Sequence, residues 1–352
     1  MKVIIIPDMH GSHNWEKAKE IAKEHPDYYV VGLGDWVDSG EYNRKIRMWQ
    51  ANNKWPDQGV NLKNALDWFR EDQKHRFFCI GNHDWSYLSC GYEASNCSGH
   101  QNDHAQEIRT ILNSNKDIIH VGVEIDGWVF SHAGFTYTWR SYVLKELHNM
   151  LDKWPEEDDG TGTRWDEKNW NLKFLDDTFR SMSHFRGDPD SNPSFDALFD
   201  WHGMFSGSGN EKMQGPLWIR PESLLEDALF PNQVVGHTEY CVGEPIKLRG
   251  STSGKGSTNT RIMIVDSNDH DLITVFDTEN PGDDFITLTE LNRKTKKIDK
   301  TLGVILSQHL TDMDAIHNEL MNAGIKKEHL DKYVNILRRY DSFKGDEGAK
   351  NG

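Results

Sequence analysis

Five short apolar runs recur along this sequence, and each is closed by a proline, glycine or serine that leads at once into an aspartate, asparagine or histidine. The runs are Val3–Ile6, Tyr28–Leu33, Phe77–Ile80, Trp128–Phe130 and Val234–Val235. Runs rich in β-branched and aromatic residues that end at a turn residue are typical of buried strands. Because ligands of α/β proteins bind at the carboxyl ends of the strands, we expect these polar residues to lie close together.

Helical patterns lie between the predicted strands. They cover Asn14–Glu24, Leu62–Lys74 and His104–Asn113. Strands that alternate with helices predict an α/β fold. Farther along the chain, Arg261–Val265 and Leu272–Phe276 flank a segment rich in Ser, Asn and Asp, and this pattern predicts a hairpin that closes a sheet.

The domain organisation follows from a change of composition near the middle of the chain. Residues 149–231 are rich in Trp, Asp, Asn and Gly, which predicts a long irregular insertion with a helix over Leu172–Met182. Long loops of this kind usually cover a site or form a wall for a substrate. We therefore predict one large domain over residues 1–300, which carries the site and the insertion, and a helical C-terminal tail over residues 301–352.

The charge of the chain restricts the partners that it can bind. With 40 Lys and Arg against 56 Asp and Glu, the formal net charge is −16. Such a chain repels a phosphate backbone at long range, so it is not expected to bind nucleic acid nonspecifically, and recognition of a small or local phosphate group is favoured. Nucleic-acid ends stay open as substrates, because bound divalent cations reverse the local field.

The sequence predicts no membrane segment. It contains no apolar stretch of the roughly 18 residues that a membrane span needs. The N-terminal apolar run is interrupted by Asp8, too early for the apolar core of a signal peptide. We therefore expect a cytoplasmic protein without membrane partners, and the sequence leaves its oligomeric state open.

The polar residues behind the predicted strands have the chemistry of metal ligands. They are Asp8, His10, Asp35, Asn82, His132 and His237. Carboxylate and amide oxygens and imidazole nitrogens bind hard or borderline divalent cations. Each short segment alone occurs often by chance, but five in succession, each behind an apolar run, predict a site for two cations. Asp35 is the best placed of them to bridge both cations.

Five segments carry a family resemblance: PDMHG (7–11), GDWVDSG (34–40), GNHD (81–84), SHAG (131–134) and GHT (236–238). Together they resemble the calcineurin-like metallophosphoesterase superfamily, and within it the phosphoprotein phosphatase branch with its bacterial and phage-type serine/threonine phosphatases. The resemblance implies an α/β fold with four layers, a metallophosphoesterase β-sandwich flanked by helices, with the metals at the strand ends. It makes residues 1–300 the catalytic domain.

The resemblance also implies how two divalent cations would be held. The first would be bound by Asp8, His10 and Asp35, and the second by Asp35, Asn82, His132 and His237. Mn²⁺ is the expected metal, and Fe or Zn²⁺ would suit the same mixed oxygen and nitrogen ligands. Asn82 would also contact the substrate.

Two further residues receive catalytic roles from the resemblance. His83 would be the general acid beside the leaving-group oxygen, and Asp38 would orient it. A carboxylate partner keeps an imidazole charged near neutral pH, and an alkoxide leaving group benefits from protonation. A metal-bridging hydroxide would attack phosphorus in line.

The sequence departs from the family pattern at three positions. Ser39 stands where the phosphatase branch usually has an arginine that grips the substrate phosphate, Asp84 replaces the more usual Glu, and Glu239 stands where many superfamily members have a second histidine. The segment LWIRPE (217–222) resembles a Leu-Trp-x-Arg segment of bacterial members, so Arg220 is the candidate phosphate clamp. The alternative for Arg220 is a solvated surface position.

Another group of potential ligands lies just after GNHD. Cys90, Cys97, His100 and His104 are candidates for a structural zinc site. Their spacing does not match the common short Cys-x2–4-Cys pattern, so a polar loop that borders the active site is the favoured interpretation.

These patterns predict a metal-dependent phosphomonoesterase of the serine/threonine phosphatase type, whose partner is a phosphorylated substrate. The loss of the arginine at Ser39 keeps an alternative open, namely hydrolysis of a nucleotide or nucleic-acid phosphoester, including diesters. A second alternative is a non-catalytic binding scaffold. That alternative would predict lost metal ligands, and the sequence retains them all.

Overall fold

The computed structural model describes residues 1–43, 48–51, 56–88, 97, 99–153, 171–181, 199, 211–238, 245–250, 259–266 and 273–291. The chain divides into two compact units, Met1–Phe285 and Ile286–Gly352. The predicted boundary at residue 300 and the predicted tail over 301–352 lie outside the described residues, and both stay predictions.

The described strands of the first unit form two sheets and a separate hairpin. The strands are β1 (Lys2–Ile6), β2 (Tyr29–Gly32), β3 (Gly40–Asn43), β4 (Met48–Ala51), β5 (Arg76–Cys79), β6 (Ile119–His120), β7 (Gly122–Ile125), β8 (Trp128–Ser131), β9 (Asn232–Val235), β10 (Ile246–Arg249), β11 (Arg261–Ile264) and β12 (Thr274–Asp277). In the first sheet the order is β12-β1-β2-β5-β6, and in the second it is β10-β11-β9-β8-β7. Strands β3 and β4 pair with each other.

Helices follow or precede most of these strands. They are α1 (Trp15–Glu24), α2 (Gln58–Arg70), α3 (Asn82–Leu88), α4 (Ala105–Ser114), α5 (Tyr137–Lys153), α6 (Leu172–Ser181) and α7 (Pro221–Asp227). Helix α1 shows why such segments are helical. Trp15 and Ala18 are buried on one face, and Glu16 and Lys23 lie at the ends where their charges complement the helix dipole.

Strand β1 shows how the two sheets and the helices share the core. Its residues alternate between two apolar clusters, as the period of a strand requires. Val3 and Ile5 pack in a cluster with residues of the second sheet such as Phe130 and Met263. Ile4 and Ile6 belong to the other cluster, which is rich in residues of α1, α2 and α4. The first sheet is therefore covered by helices on one face and by the second sheet on the other.

The predicted α/β sandwich is confirmed. Each of the five apolar runs contains a strand, namely β1, β2, β5, β8 and β9, and within the first sheet β1, β2, β5 and β6 are parallel. The three predicted helices between the runs correspond to α1, α2 and α4.

The predicted hairpin near residue 270 is wrong. Strand β11 lies in the second sheet between β10 and β9, whereas β12 pairs antiparallel with β1 at the edge of the first sheet. Val3 lies opposite Phe276 in that pairing. A polar segment between two apolar runs indicates a change of direction, but the partner of each strand is set by contacts that are distant in sequence.

Part of the predicted insertion is helical. Within residues 149–231 the structure describes the end of α5, all of α6 and all of α7, and α6 corresponds to the predicted helix over Leu172–Met182. The role of the insertion as a substrate cover stays a prediction. Among the residues described, no helix combines the length and apolarity needed to cross a membrane.

In the second unit the described residues are 286–291. They form a short strand, β13 (Ile286–Thr287), followed by a helical turn. Glu290 accepts hydrogen bonds from the backbone N–H and the hydroxyl of Thr287, and Thr287 Oγ1 accepts one from the backbone N–H of Glu290. This reciprocal pair stabilises the start of the turn.

Candidate metal centre

The segments that carry the predicted ligands are the loops behind β1, β2, β5, β8 and β9. Four residues in these loops have left-handed backbone conformations, with φ of 46° at His10, 51° at Asp35, 69° at Asp38 and 60° at His237. Residues other than glycine adopt this backbone conformation at a cost of about 1–2 kcal/mol per residue. Such strain concentrates at functional sites, where the surrounding structure enforces it.

Two glycines allow the loops to approach the carboxylates. A Cβ atom on Gly81 would lie 2.2 Å from Asp35 Oδ1, and one on Gly236 would lie 2.2 Å from Asp8 Oδ1. Real Cβ atoms do not approach an oxygen so closely. Glycine at both positions is therefore a condition for the packing of the site.

One group of potential ligands consists of His10, Asp35 and His83, whose ligand atoms lie within 4.8 Å of one another. His10 Nε2 is 3.8 Å from Asp35 Oδ2, and His10 Nδ1 donates a hydrogen bond of 3.0 Å to the backbone carbonyl of Asp38. A neutral His10 ring with its proton on Nδ1 would leave the Nε2 lone pair for a cation. Histidines that bind metals are commonly oriented by a carbonyl in this way.

A second group consists of Asp35, His132 and His237. His132 Nε2 lies 3.5 Å from Asp35 Oδ1, 3.1 Å from His237 Nδ1 and 2.7 Å from Asn82 Oδ1. His132 Nδ1 donates to the Leu33 carbonyl at 3.0 Å. Burial lowers the pKa of His132, so the ring is neutral and its one proton is the one on Nδ1. The Nε2 lone pair therefore faces the lone pairs of Asn82 Oδ1 and Asp35 Oδ1, an arrangement that a cation would stabilise.

Asp8 gives a further test of whether a cation fits. Its Oδ2 accepts a hydrogen bond of 3.0 Å from the backbone N–H of His237. Its Oδ1 and the Nε2 of His237 are buried, and no described residue hydrogen-bonds to either atom. Burial, together with the nearby carboxylates of Asp266 and Asp35, raises the pKa of Asp8 well above its usual range. A divalent cation would compensate both the unbonded atoms and the crowded negative charge.

His83 and Asp38 form a hydrogen-bonded pair beside Asp35. His83 Nδ1 lies 3.0 Å from Asp38 Oδ2, and His83 Nε2 lies 3.9 Å from Asp35 Oδ2. Burial lowers the pKa of His83, but the carboxylates of Asp35 and Asp38 outweigh this effect and raise it to about 9. His83 is therefore protonated at neutral pH and presents Nε2–H toward the site.

Three residues outside the motifs, which the sequence did not reveal, hold Asp38 and the loop behind β1 in place. Tyr87 donates a hydrogen bond to Asp38 Oδ1, and Gln58 Oε1 accepts one of 3.0 Å from the backbone N–H of Asp38. Asn61 donates to the carbonyls of Gly11 and Ser12 at 3.0 and 2.9 Å. The sequence gives one indication of these contacts, because Gln58 and Asn61 are three residues apart and so lie on the same face of α2. The structure buries both side chains.

Asp84, one of the departures from the family pattern, is fully buried. It accepts hydrogen bonds of 2.9 Å from the backbone N–H groups of Trp36 and Gly81. These bonds connect the loop behind β2 with the loop behind β5. Asp84 therefore shapes the backbone around Asp35.

Arg220 lies at the loop that carries His237. Its Nη1 donates to the His237 carbonyl at 2.8 Å and to Thr238 Oγ1 at 3.1 Å. Burial lowers the pKa of His237, and the charge of Arg220 lowers it further. Arg220 thus supports the loop behind β9, and its role as a phosphate clamp stays a prediction.

Glu239 and Cys90 lie outside the described residues.

The suggested zinc site has no support among the described residues. The groups with metal-ligand spacing found there do not include Cys97, His100 or His104. His100 instead stacks on Tyr87 with 4.1 Å between ring centroids. Cys97 contacts Asn82.

Comparisons with known proteins place these observations in a family. A family model for calcineurin-like phosphoesterases matches residues 1–237. No curated protein matches the sequence. The chain is similar to the structure of a protein serine/threonine phosphatase from Saccharomyces cerevisiae with similarity to human phosphatase PP5, at 13% identity and a TM-score of 0.36, over 75% of this chain and 66% of that chain. It is also similar to a metallophosphoesterase from Sphaerobacter thermophilus, at 18% identity and a TM-score of 0.19, over 38% of this chain and 47% of that chain.

The chain spans less than two thirds of the length of either of these proteins. The family match, by contrast, covers about two thirds of this chain and extends from β1 to His237, so it includes each of the loops described above. The chain therefore belongs to the calcineurin-like phosphoesterase family, a family of phosphoester hydrolases.

Proposed function

We propose that this protein is a phosphomonoesterase of the serine/threonine phosphatase type that uses two divalent cations. The observation that carries the proposal is the position of Asp35. Its carboxylate belongs to both groups of potential ligands, and the charged His83 lies next to it. One shared carboxylate with an acid beside it suits a reaction in which a phosphoryl group is attacked on one side and a leaving group is protonated on the other.

The ligand sets follow the two groups. Asp8, His10 and Asp35 would bind one cation, and Asp35, Asn82, His132 and His237 would bind the other. Neither group of closely spaced ligand atoms includes Asp8, whose buried carboxylate accepts a hydrogen bond from the backbone N–H of His237. When bound, the cations would polarise a phosphoryl oxygen and supply a hydroxide nucleophile at neutral pH.

The chain itself supplies the proton for the leaving group. His83 Nε2–H would donate to the leaving oxygen, while Asp38 holds Nδ1–H and stabilises the imidazolium before the transfer. Arg220 is the candidate for contact with the substrate phosphate, together with the amide of Asn82. Mn²⁺ is the cation that we would supply, and a phosphorylated Ser or Thr side chain is the substrate class that we propose.

The test compares hydrolysis of para-nitrophenyl phosphate and bis(para-nitrophenyl) phosphate with Mn²⁺ added. Preference for the monoester is the expected result, and preference for the diester would favour a phosphodiesterase instead. No cleavage of either ester by a protein that binds Mn²⁺ would favour the scaffold alternative. Asp35→Asn should abolish cleavage. The matched control is Asp177→Asn, which removes an exposed carboxylate that pairs with Lys173 on the surface of α6.

A further inference from the structure

Cys97 contacts both polar groups of Asn82. Its thiol donates to the backbone carbonyl oxygen of Asn82, with Sγ and O 3.2 Å apart. Its sulfur also accepts a hydrogen bond from the side-chain amide, with Sγ and Nδ2 3.2 Å apart. The two residues are 15 positions apart in the sequence, and no part of the family resemblance includes Cys97.

Because the thiol of Cys97 has a single proton, its sulfur can contact only one end of the Asn82 side-chain amide. A thiol has one proton, and here the backbone carbonyl of Asn82 accepts it. Toward the side chain the sulfur can therefore act only as an acceptor. The amide NH₂ group is a suitable partner, and the amide oxygen is not. The contact thus distinguishes between two ends of an amide that are nearly equal in size.

The opposite end of the amide faces the second group of ligands. Asn82 Oδ1 lies 2.7 Å from His132 Nε2, which itself lies 3.1 Å from His237 Nδ1. An amide rotated by half a turn would present hydrogen atoms at this place. Divalent cations bind amide oxygens, so the rotated side chain would be no ligand and would repel a cation.

We propose that Cys97 is a positioning residue that holds the Asn82 amide with its oxygen toward the second cation. The inference rests on the proposed function only to the extent that a cation binds beside Asn82. Cys97 thereby influences metal affinity although it lies outside the five motif segments. Partners that orient a metal ligand commonly change metal affinity about 10–100-fold when they are removed.

The first experiment measures the binding of Mn²⁺ alone by calorimetry and by metal analysis after gel filtration. Cys97→Ala and Cys97→Val remove the sulfur, and Val keeps most of the volume. We expect one of the two binding steps to weaken about 10-fold or more in both variants. Cys97→Ser retains a donor and an acceptor, so it should bind Mn²⁺ more tightly than either variant. Unchanged binding in Cys97→Ala or Cys97→Val would overturn the proposal.

A matched control separates the contact from the loss of a buried thiol. Cys79 is the other cysteine that the structure describes, and it is buried in the core between the sheets. Cys79→Ala should bind both Mn²⁺ ions as the wild type does, even where it lowers stability. Weakened binding in this control equal to that in Cys97→Ala would overturn a specific role for Cys97.

The second experiment tests orientation directly. In an Asn82→Asp background the side chain has two equivalent oxygens, so there is no wrong end to present to a cation. Cys97→Ala should therefore have little effect on Mn²⁺ affinity in this background, while it has a large effect beside Asn82. A role in general stability predicts the same loss in both backgrounds, and that result would overturn the proposal.

These readouts do not depend on catalysis. A wild type that binds two Mn²⁺ ions and cleaves no phosphoester would refute the proposed function and leave the role of Cys97 standing. Equal Mn²⁺ affinity in the wild type and Cys97→Ala would refute the role of Cys97 whatever the activity is.

Discussion

His83 is connected to Asp35 at two points. Its backbone N–H donates to Asp35 Oδ1 at 2.9 Å, and its ring Nε2 lies 3.9 Å from Asp35 Oδ2. The carboxylate shared by the two ligand groups therefore also positions the acid. A change in the charge of Asp35 should alter both metal binding and the proton affinity of His83.

The first prediction concerns the leaving group. His83→Asn should slow hydrolysis of a phosphoserine peptide by about 10²–10⁴-fold, because an alkoxide needs a proton as it leaves. The loss should be much smaller for para-nitrophenyl phosphate, whose leaving group is stable as an anion. Steady-state rates for both substrates at saturating Mn²⁺ provide the measurement. Equal losses for the two substrates would contradict the acid role.

The control for this prediction is a second histidine and aspartate pair. His75 Nδ1 lies 3.0 Å from Asp72 Oδ2 at the surface, with the same atom types as in the pair of His83 and Asp38. His75→Asn should leave both rates unchanged.

The second prediction concerns pH in the metal-free protein. The pKa of His83 is raised on folding to about 9. The stability that this histidine contributes is therefore fully present below its unfolded pKa of about 6.5 and is lost as the pH rises through about 9. Denaturant unfolding at several pH values should show that the destabilisation by His83→Asn shrinks over this range. A difference that stays constant from pH 6 to pH 10 would argue against a charged His83.

The third prediction follows from the hydrogen bond between Asp38 and His83. Asp38→Asn keeps a hydrogen-bonding side chain but removes one of the three carboxylates, those of Asp35, Asp38 and Asp84, that raise the pKa of His83. The pKa should fall, and a nuclear magnetic resonance titration of the metal-free protein can measure it. In the enzyme, the alkaline decline of kcat/KM should move to lower pH. Asp117→Asn, which changes an exposed carboxylate, should leave both values unchanged.

The fourth prediction concerns metal removal. A ligand that binds only the folded state stabilises it, by about 2.7 kcal/mol at a concentration 100 times its Kd. Chelation should therefore lower the Tm of the wild type. In Asp35→Asn the Tm should depend much less on Mn²⁺, because both ligand groups lose a shared carboxylate. A Tm that responds to Mn²⁺ as strongly as in the wild type would show that Asp35 binds neither cation.

The fifth prediction concerns a salt bridge remote from this chemistry. Arg70 Nη1 and Nη2 donate to Asp117 Oδ2 and Oδ1 at 2.6 and 2.7 Å. Arg70 lowers the pKa of Asp117, so the stabilisation is present above the unfolded pKa of about 3.9 and is lost as the pH falls through the lower folded value. Because Arg70 is partly exposed and Asp117 largely exposed, Arg70→Met should cost only about 0.2–1 kcal/mol.

Unfolding of Arg70→Met at neutral pH in low and high salt provides the measurement. The loss should shrink at high salt, since exposed ion pairs are screened. The pair of Lys63 and Asp67, one turn apart on α2, is a matched comparison, and Lys63→Met should cost less because this contact is a single one. A loss for Arg70→Met that does not respond to salt would indicate lost packing instead.

The features that the sequence predicted well are local ones. The apolar runs that lead to Asp8, Asp35 and His132 are short strands whose composition and closing turns lie within a few adjacent residues. The motifs of the family resemblance predicted that these ligands belong to one site. The family model matches residues 1–237, the part of the chain that contains nearly all of these motifs.

The features that the sequence did not predict depend on contacts between distant segments. Strand β12 pairs with β1 although more than 260 residues separate Ile6 from Thr274, and no local pattern distinguishes this from a hairpin with β11. Tyr87 donates to Asp38 from 49 positions away, and Asn61 donates to Gly11 from 50 positions away. Neither residue belongs to a motif, so only the folded arrangement reveals their contacts.

The loops around Asp35 come from both sheets. Asp8, Asp35 and Asn82 follow strands of the first sheet, whereas His132 and His237 follow strands of the second. Cations held by residues of both sheets would cross-link the two halves of the sandwich at one end. Hydrogen exchange in the metal-free protein should then increase most at the carboxyl ends of β8 and β9, and the opposite ends of the same strands should keep their protection.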